Sequence, residues 1–255
     1  MKKTFLLSCL MLAAMPVMAA YTGHVYVDKN KNGVFDQSEK PLAGIKVSDG
    51  LNVVETAADG SFTLPGHERE RFIFITTPSG YKTFNRHYHK IEKKQSGYDF
   101  GLIPYSGRIR KNGSHRYIHI ADTEIFNTEN HADWVNNVRD YARNEQAAFI
   151  IHTGDICYEK GLKAHIKLMN TENMDCPVFY CIGNHDLVKG KYGEELFESI
   201  YGPVYYSFDA GNVHYVVTPM PGGDHAPGYT SDDVCRWLKN DLAHIRPGTA
   251  VVVFN

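Results

Sequence analysis

Two kinds of apolar pattern divide the chain. Between residues 20 and 104, apolar positions come in short β-like runs, alternating in Ser61-Phe62-Thr63-Leu64 and more continuous in Gly23-His24-Val25-Tyr26-Val27 and Arg71-Phe72-Ile73-Phe74-Ile75, separated by turn residues. Period-two alternation suits strands with one buried face, and the Asp-Gly pairs at 49–50 and 59–60 are hairpin signals. Several short strands without a helical segment predict an all-β sandwich for this N-terminal domain. From residue 117 the pattern changes. Predominantly apolar runs at 117–121, 147–152, 178–182, 213–218 and 250–254 alternate with helical periodicity at 132–147, 162–169, 194–201 and 231–245. In the first helical stretch Trp134, Val135, Val138, Tyr141 and Ala142 share one face. Strands buried on both faces and separated by helices predict an α/β layered fold. The Gly211-Asn212 pair between two β-like runs predicts a hairpin, hence a mixed β-sheet. Residues 105–116, with Gly107, Gly113 and the basic Arg108, Arg110 and Lys111, read as a linker.

Residues 1–19 fit neither pattern. Lys2 and Lys3 precede a short apolar run, and Val17 and Ala19 supply the small residues that a signal peptidase requires, so a secretory signal peptide cleaved after Ala19 is expected. The run is short for spanning a bilayer, and no later stretch could form a transmembrane segment. The remaining 20–255 is therefore expected to be secreted, periplasmic or on the cell surface. The 27 basic and 29 acidic residues give a formal net charge of −2, and no basic run is present, so no nucleic acid partner is expected. Cys157, Cys176, Cys181 and Cys235 follow the signal. Four cysteines allow three pairings, while the apolar surroundings of Cys157 and Cys181 suit buried free thiols.

Candidate chemistry occurs in both halves. Asp28, Asn30, Asn32, Gly33, Asp36 and Glu39 fit a twelve-residue calcium loop. Alternate residues aim oxygens inward, Gly33 permits the sharp turn, Val34 offers its carbonyl and Glu39 both carboxylate oxygens. A polar loop that binds nothing is the alternative. In the second half the apolar runs stop at Ala121-Asp122-Thr123-Glu124, Gly154-Asp155 and Gly183-Asn184-His185-Asp186. Carboxylates, an amide oxygen and an imidazole arriving from several strand ends suit divalent metal ions. His119 and His152, within or at the end of strands, read as structural; His165 sits in a helical stretch and His214 in a strand. His225 and Asp224, in a Gly-rich loop, are candidates for a substrate or accessory contact.

These three strand-end motifs resemble those of the calcineurin-like metallophosphoesterases, over about 117–255. The residues from Gly23 to Pro65 resemble the immunoglobulin-like modules of bacterial surface proteins. They are also similar to the N-terminal domain of some secreted bacterial members of that family. The resemblance implies a hydrolase, a metallophosphatase with two divalent metal ions (manganese, zinc or iron). Asp122 would bind the first, Asp155 would bridge both and Asn184 would bind the second. His185 would act as general acid or stabilise the transferring phosphoryl group. The substrate would be a phosphomonoester or phosphodiester, as a small molecule or a cell-envelope component. Glu124 stands where the family carries a histidine ligand, and it is a candidate metal ligand through oxygen. Family members continue into further histidine-containing segments beyond a strand like 250–254, so the second domain is expected to be partial, incomplete at its C-terminus. A non-catalytic cell-surface or carbohydrate-associated module, or an inactive fragment of a longer enzyme, are the other readings.

Overall fold

The computed structural model describes residues 20–95, 97–156 and 158–255, so the expected signal peptide and Cys157 lie outside the described residues. In the first half the chain runs through β1 (Tyr21–Val27), β2 (Lys40–Pro41), β3 (Lys46–Ser48), β4 (Val53–Glu55) and β5 (Ser61–Leu64). It continues through β6 (Phe72–Ile75), β7 (Tyr81–Thr83), β8 (Tyr88–Lys90) and β9 (Phe100–Pro104). One sheet has the order β2-β1-β9-β7, with β5 also paired to β1; the other has the order β4-β3-β6-β8. Val25, Phe62, Leu64, Phe100 and Leu102 of the first meet Val47, Ile73 and Ile75 of the second in one core.

Two local expectations change. Asp49-Gly50 does turn between the paired strands β3 and β4. Asp59-Gly60, however, carries the chain from β4 to β5, which pairs with β1 in the other sheet. The reason is a second anchor: Val25 N–H donates to Gly60 O at 2.9 Å, holding the turn against β1. Nor does β6 have only one buried face. Ile73 and Ile75 fill the core between the two sheets, while Phe72 and Phe74 enter a different core with Phe208 and Trp237 of the second half. Alternation along β6 therefore sorts residues between two apolar surroundings.

The second half contains β10 (Tyr117–Ile120), α1 (Ala132–Asn144), β11 (Phe149–His152), α2 (Glu159–Leu168), β12 (Val178–Tyr180) and α3 (Glu195–Tyr201). These are followed by β13 (Tyr206–Ala210), β14 (Val213–Val217), α4 (Ser231–Ala243) and β15 (Ala250–Phe254). The strands form two three-stranded sheets rather than one. In the first, β10, β11 and β12 are parallel; in the second, β13 and β14 form the antiparallel hairpin turned by Gly211-Asn212, and β15 lies parallel to β14. Phe149 joins the sheets, its ring 5.0 Å from those of Phe208 and Tyr215. The α4 helix begins at a Thr230 cap, whose hydroxyl accepts from Asp233 N–H. No helix among the described residues is long and apolar enough to cross a membrane.

The halves are held together by polar contacts as well as by the Phe72 and Phe74 core. Arg71 pairs with Glu194 at 2.8 Å and Glu198 at 3.0 Å. A second chain of contacts links Thr76 to Ser207, Ser207 to Asp241, Asp241 to His214, and His214 to Asp209, which faces Lys46. Residues 105–116 are also fixed to their surroundings: Arg108 donates to Ala147 O and pairs with Asp175. Cys176 and Cys181 are buried free thiols, and Cys235 is free and exposed.

Candidate functional site

Because β10, β11 and β12 are parallel and adjacent, their C-terminal ends share one edge of the sheet. The sequence leaves each strand at Asp122, Asp155 and Asn184 in turn. Asp122 N–H donates to Gly154 O at 3.2 Å, tying the first exit to the second. The second and third are locked by their glycines. A Cβ on Gly154 would lie 2.4 Å from Gly183 N, and one on Gly183 would lie 2.3 Å from Asp155 Oδ1. No real side chain tolerates such approaches, so only glycine lets these two exits cross.

Asp186 completes the lock. It is fully buried in a short 3-10 turn spanning Asn184–Asp186, and its carboxylate accepts from Ile156 N–H at 3.0 Å and Gly183 N–H at 3.0 Å. His185 N–H in turn donates to Asp155 Oδ1 at 3.2 Å. The backbone at Asp122, Glu124 and Asp155 is left-handed, with φ of 52°, 43° and 48°. Such conformations disfavour L-residues and gather at functional sites, so their concentration on three candidate ligands marks this edge.

His185 is half-exposed, and its Nδ1 lies 2.9 Å from Asp224 Oδ2. An ionised carboxylate only accepts, so Nδ1–H is the donor and Nε2 is left facing away from Asp224. The hydrogen bond to Asp224 raises the His185 pKa against an opposing desolvation, with the charges of Asp224, Asp155 and Asp186 adding to the rise. Asp224 is fixed by its own N–H, which donates to Asn184 O at 3.1 Å. The Tyr158 ring lies 5.1 Å from that of His185. Of the two loop candidates, then, Asp224 engages the site through its side chain, while His225 is exposed at the surface.

His119, His152, His165 and His214 have structural partners. His152 Nε2 is 2.8 Å from Thr123 Oγ1, and burial pushes its pKa down to about 3. His119 meets Thr153, and His165 meets Tyr201. Buried His214 is clamped between Asp209 and Asp241 at 2.6 and 2.8 Å.

Asp122, Asp155, Glu124 and Asn184 offer hard oxygen donors, and their chemistry fits divalent cations. Glu124 is exposed and makes no hydrogen bond or ion pair among the described residues, so its carboxylate remains available. A tighter trio lies in the first half, where ligand atoms of Asp49, His67 and Glu70 all come within 4.8 Å of one another. No spacing motif links the three in the sequence; the fold assembles them. These groups already have partners: Asp49 accepts from Leu51 and Asn52 N–H, and Glu70 from the Tyr21 hydroxyl and His67 N–H.

Comparison with known proteins identifies the family. Residues 29–104 match a family model described as the N terminal of calcineurin-like phosphoesterase. No curated protein matches the chain. Residues 115–243, half of the chain, match the model described as calcineurin-like phosphoesterase and contain all of the strand-end residues, so the chain belongs to the calcineurin-like phosphoesterase family.

Proposed function

We propose that the chain hydrolyses a phosphomonoester or phosphodiester outside the cytoplasm, using divalent metal ions held by Asp122, Asp155 and Asn184, with Glu124 as a further oxygen ligand. The observation that carries this reading is the lock between Gly154-Asp155 and Gly183-Asn184-His185-Asp186. It presents a carboxylate, an amide oxygen and an imidazole at one sheet edge. Metal ions bound there would supply Lewis-acid charge and lower the pKa of water. Asp155 suits a shared position because a carboxylate carries charge and lone pairs for two cations, whereas Asn184 adds an oxygen without charge. Asp224 holds the His185 ring by Nδ1 and favours its protonated form. That leaves Nε2–H as the proton that His185 delivers to the departing oxygen.

The location rests on the arrangement of Lys2, Lys3, the apolar run and Ala19. Export followed by N-terminal sequencing should give a mature chain beginning at Ala20. For the activity, an aryl phosphomonoester and an aryl phosphodiester are assayed with added manganese and with chelator. Metal-dependent release of phenol from either supports hydrolysis. A metal-free protein with no turnover under any of these conditions would instead favour a non-catalytic surface module.

A further inference from the structure

Asp28 follows the last residue of β1 and Glu39 immediately precedes β2, so the twelve-residue stretch between them joins two strands that pair antiparallel. This stretch is folded around its acidic side chains. Asp28 Oδ1 accepts from Lys31 N–H at 2.6 Å, and Oδ2 accepts from Gly33 N–H at 2.9 Å. Gly33 takes a φ of +72°, which the sharp reversal at the sixth loop position demands. Glu39 accepts from Lys29 N–H at 2.9 Å and Asp36 N–H at 3.2 Å, so its carboxylate reaches back across the loop. The amides of Asn30 and Asn32 both reach Asp36 Oδ2, at 2.8 and 3.0 Å. Side chains from the third, fifth and ninth positions are thus drawn together, while those from the first and twelfth fold onto the loop's main chain.

Two further observations point to a bound cation. Asp28 is 1% exposed and Glu39 6% exposed. With Asp36 they bring three carboxylates into one loop, and none of the three forms an ion pair among the described residues. Every bond they accept comes from main-chain N–H or a neutral amide. Buried charge is costly without a countercharge, and these contacts provide dipoles but no positive charge. Separately, the Tyr26 hydroxyl is buried beneath the loop without a hydrogen-bond partner. Its ring packs 4.9 Å from Phe35 of the loop. A buried hydroxyl left unsatisfied under the loop is unfavourable unless something else occupies the neighbourhood.

We propose that this β1–β2 loop is a calcium site, with oxygens from Asp28, Asn30, Asn32, the Val34 carbonyl, Asp36 and Glu39. Hard oxygen donors at these positions, three of them charged, suit a cation that takes six to eight oxygens in flexible geometry; smaller magnesium prefers to keep its water. The site is independent of the strand-end residues, and its role is to stiffen the first half. Asp28 N–H donates to Leu102 O, and the Cβ of Asp28 lies 2.9 Å from where a side chain on Gly101 would begin. The loop therefore braces β9, the strand that leads into the second half.

The test is thermal unfolding of the full chain, stripped of metal, during a calcium titration to about 10 mM, beyond the weak end of the range for such loops. The melting temperature should rise by about 5 °C at saturation. Magnesium at equal concentration should give a much smaller rise. Glu39→Gln should weaken calcium binding at least tenfold, since the amide keeps one oxygen but loses the negative charge and the second oxygen. Should Glu39→Gln not fold, exposed Asn30→Ala carries the same test. Asp155→Ala, in the other site, should leave the calcium response intact. A wild-type chain that ignores calcium, or a response that survives the loop substitutions but disappears in Asp155→Ala, would overturn the proposal.

Discussion

His185 and Asp224 show how much one hydrogen bond decides at the residue scale. In the proposed reaction the imidazole must both carry a proton and aim it. Replacing His185 by Gln is expected to lower kcat by about 10²–10⁴-fold on a substrate with a poor leaving group, with a smaller loss when the leaving group needs no protonation. Asp224→Asn removes the charge that holds the ring and should lower kcat about tenfold. Because both side chains are half-exposed, the melting temperature should barely move; steady-state kinetics and a melting curve on the same samples separate these effects. The strand-end placement of Asp122, Asp155, Asn184 and His185 was legible in the sequence because each follows an apolar run closely, two of them beside a glycine. Asp224 was only half legible, sharing a loop with His225, since proximity in sequence cannot say which of two neighbours turns toward a strand end. Asp186 belongs to the same motif, but nothing in the sequence marks its role. Its part as the buried acceptor for two loops depends on where Ile156 and Gly183 meet in space.

At the scale of elements, the crossing of the β11 and β12 exits is the feature on which the site depends. Gly183→Ala would drive a methyl group into Asp155, and nearby backbone offers little room to yield. A loss of roughly 2–4 kcal/mol is expected in denaturant unfolding, together with loss of activity. An alanine variant of unchanged stability would contradict the packing described. At α4, Thr230→Ala should cost about 1 kcal/mol through the lost cap without changing turnover. Element types were readable because two-sided apolar runs and helical periodicity are strong local signals. The sheets they join were less so: Asp59-Gly60 looks like any hairpin turn, and only its contact with β1 sends the next strand to the other sheet. Likewise β6 reads as a plain buried strand, yet its two faces belong to different cores.

For the whole molecule, the two halves meet across groups whose charge responds to pH. One Arg71 guanidinium faces both Glu194 and Glu198, and burial pushes the Glu198 pKa up to about 7, against the pull of Arg71. A carboxyl that holds its proton more tightly when folded stabilises fully below its unfolded value of about 4.5, and that contribution is lost as pH rises through about 7. Urea midpoints measured between these limits should therefore fall less steeply with pH in Glu198→Gln than in the wild type; equal slopes would remove Glu198 from the account. The sequence showed two halves but not this junction, because Arg71 and Glu194 carry no mark of each other until the fold brings them together. The central claim, however, concerns the sheet edge. Its most direct test is manganese-dependent turnover of an aryl phosphate by the wild type and Asp155→Ala, with metal content measured on both. The account predicts turnover and bound metal in the wild type, with metal lost and turnover reduced at least a thousandfold in the folded variant; equal metal content and equal turnover in the two would contradict it.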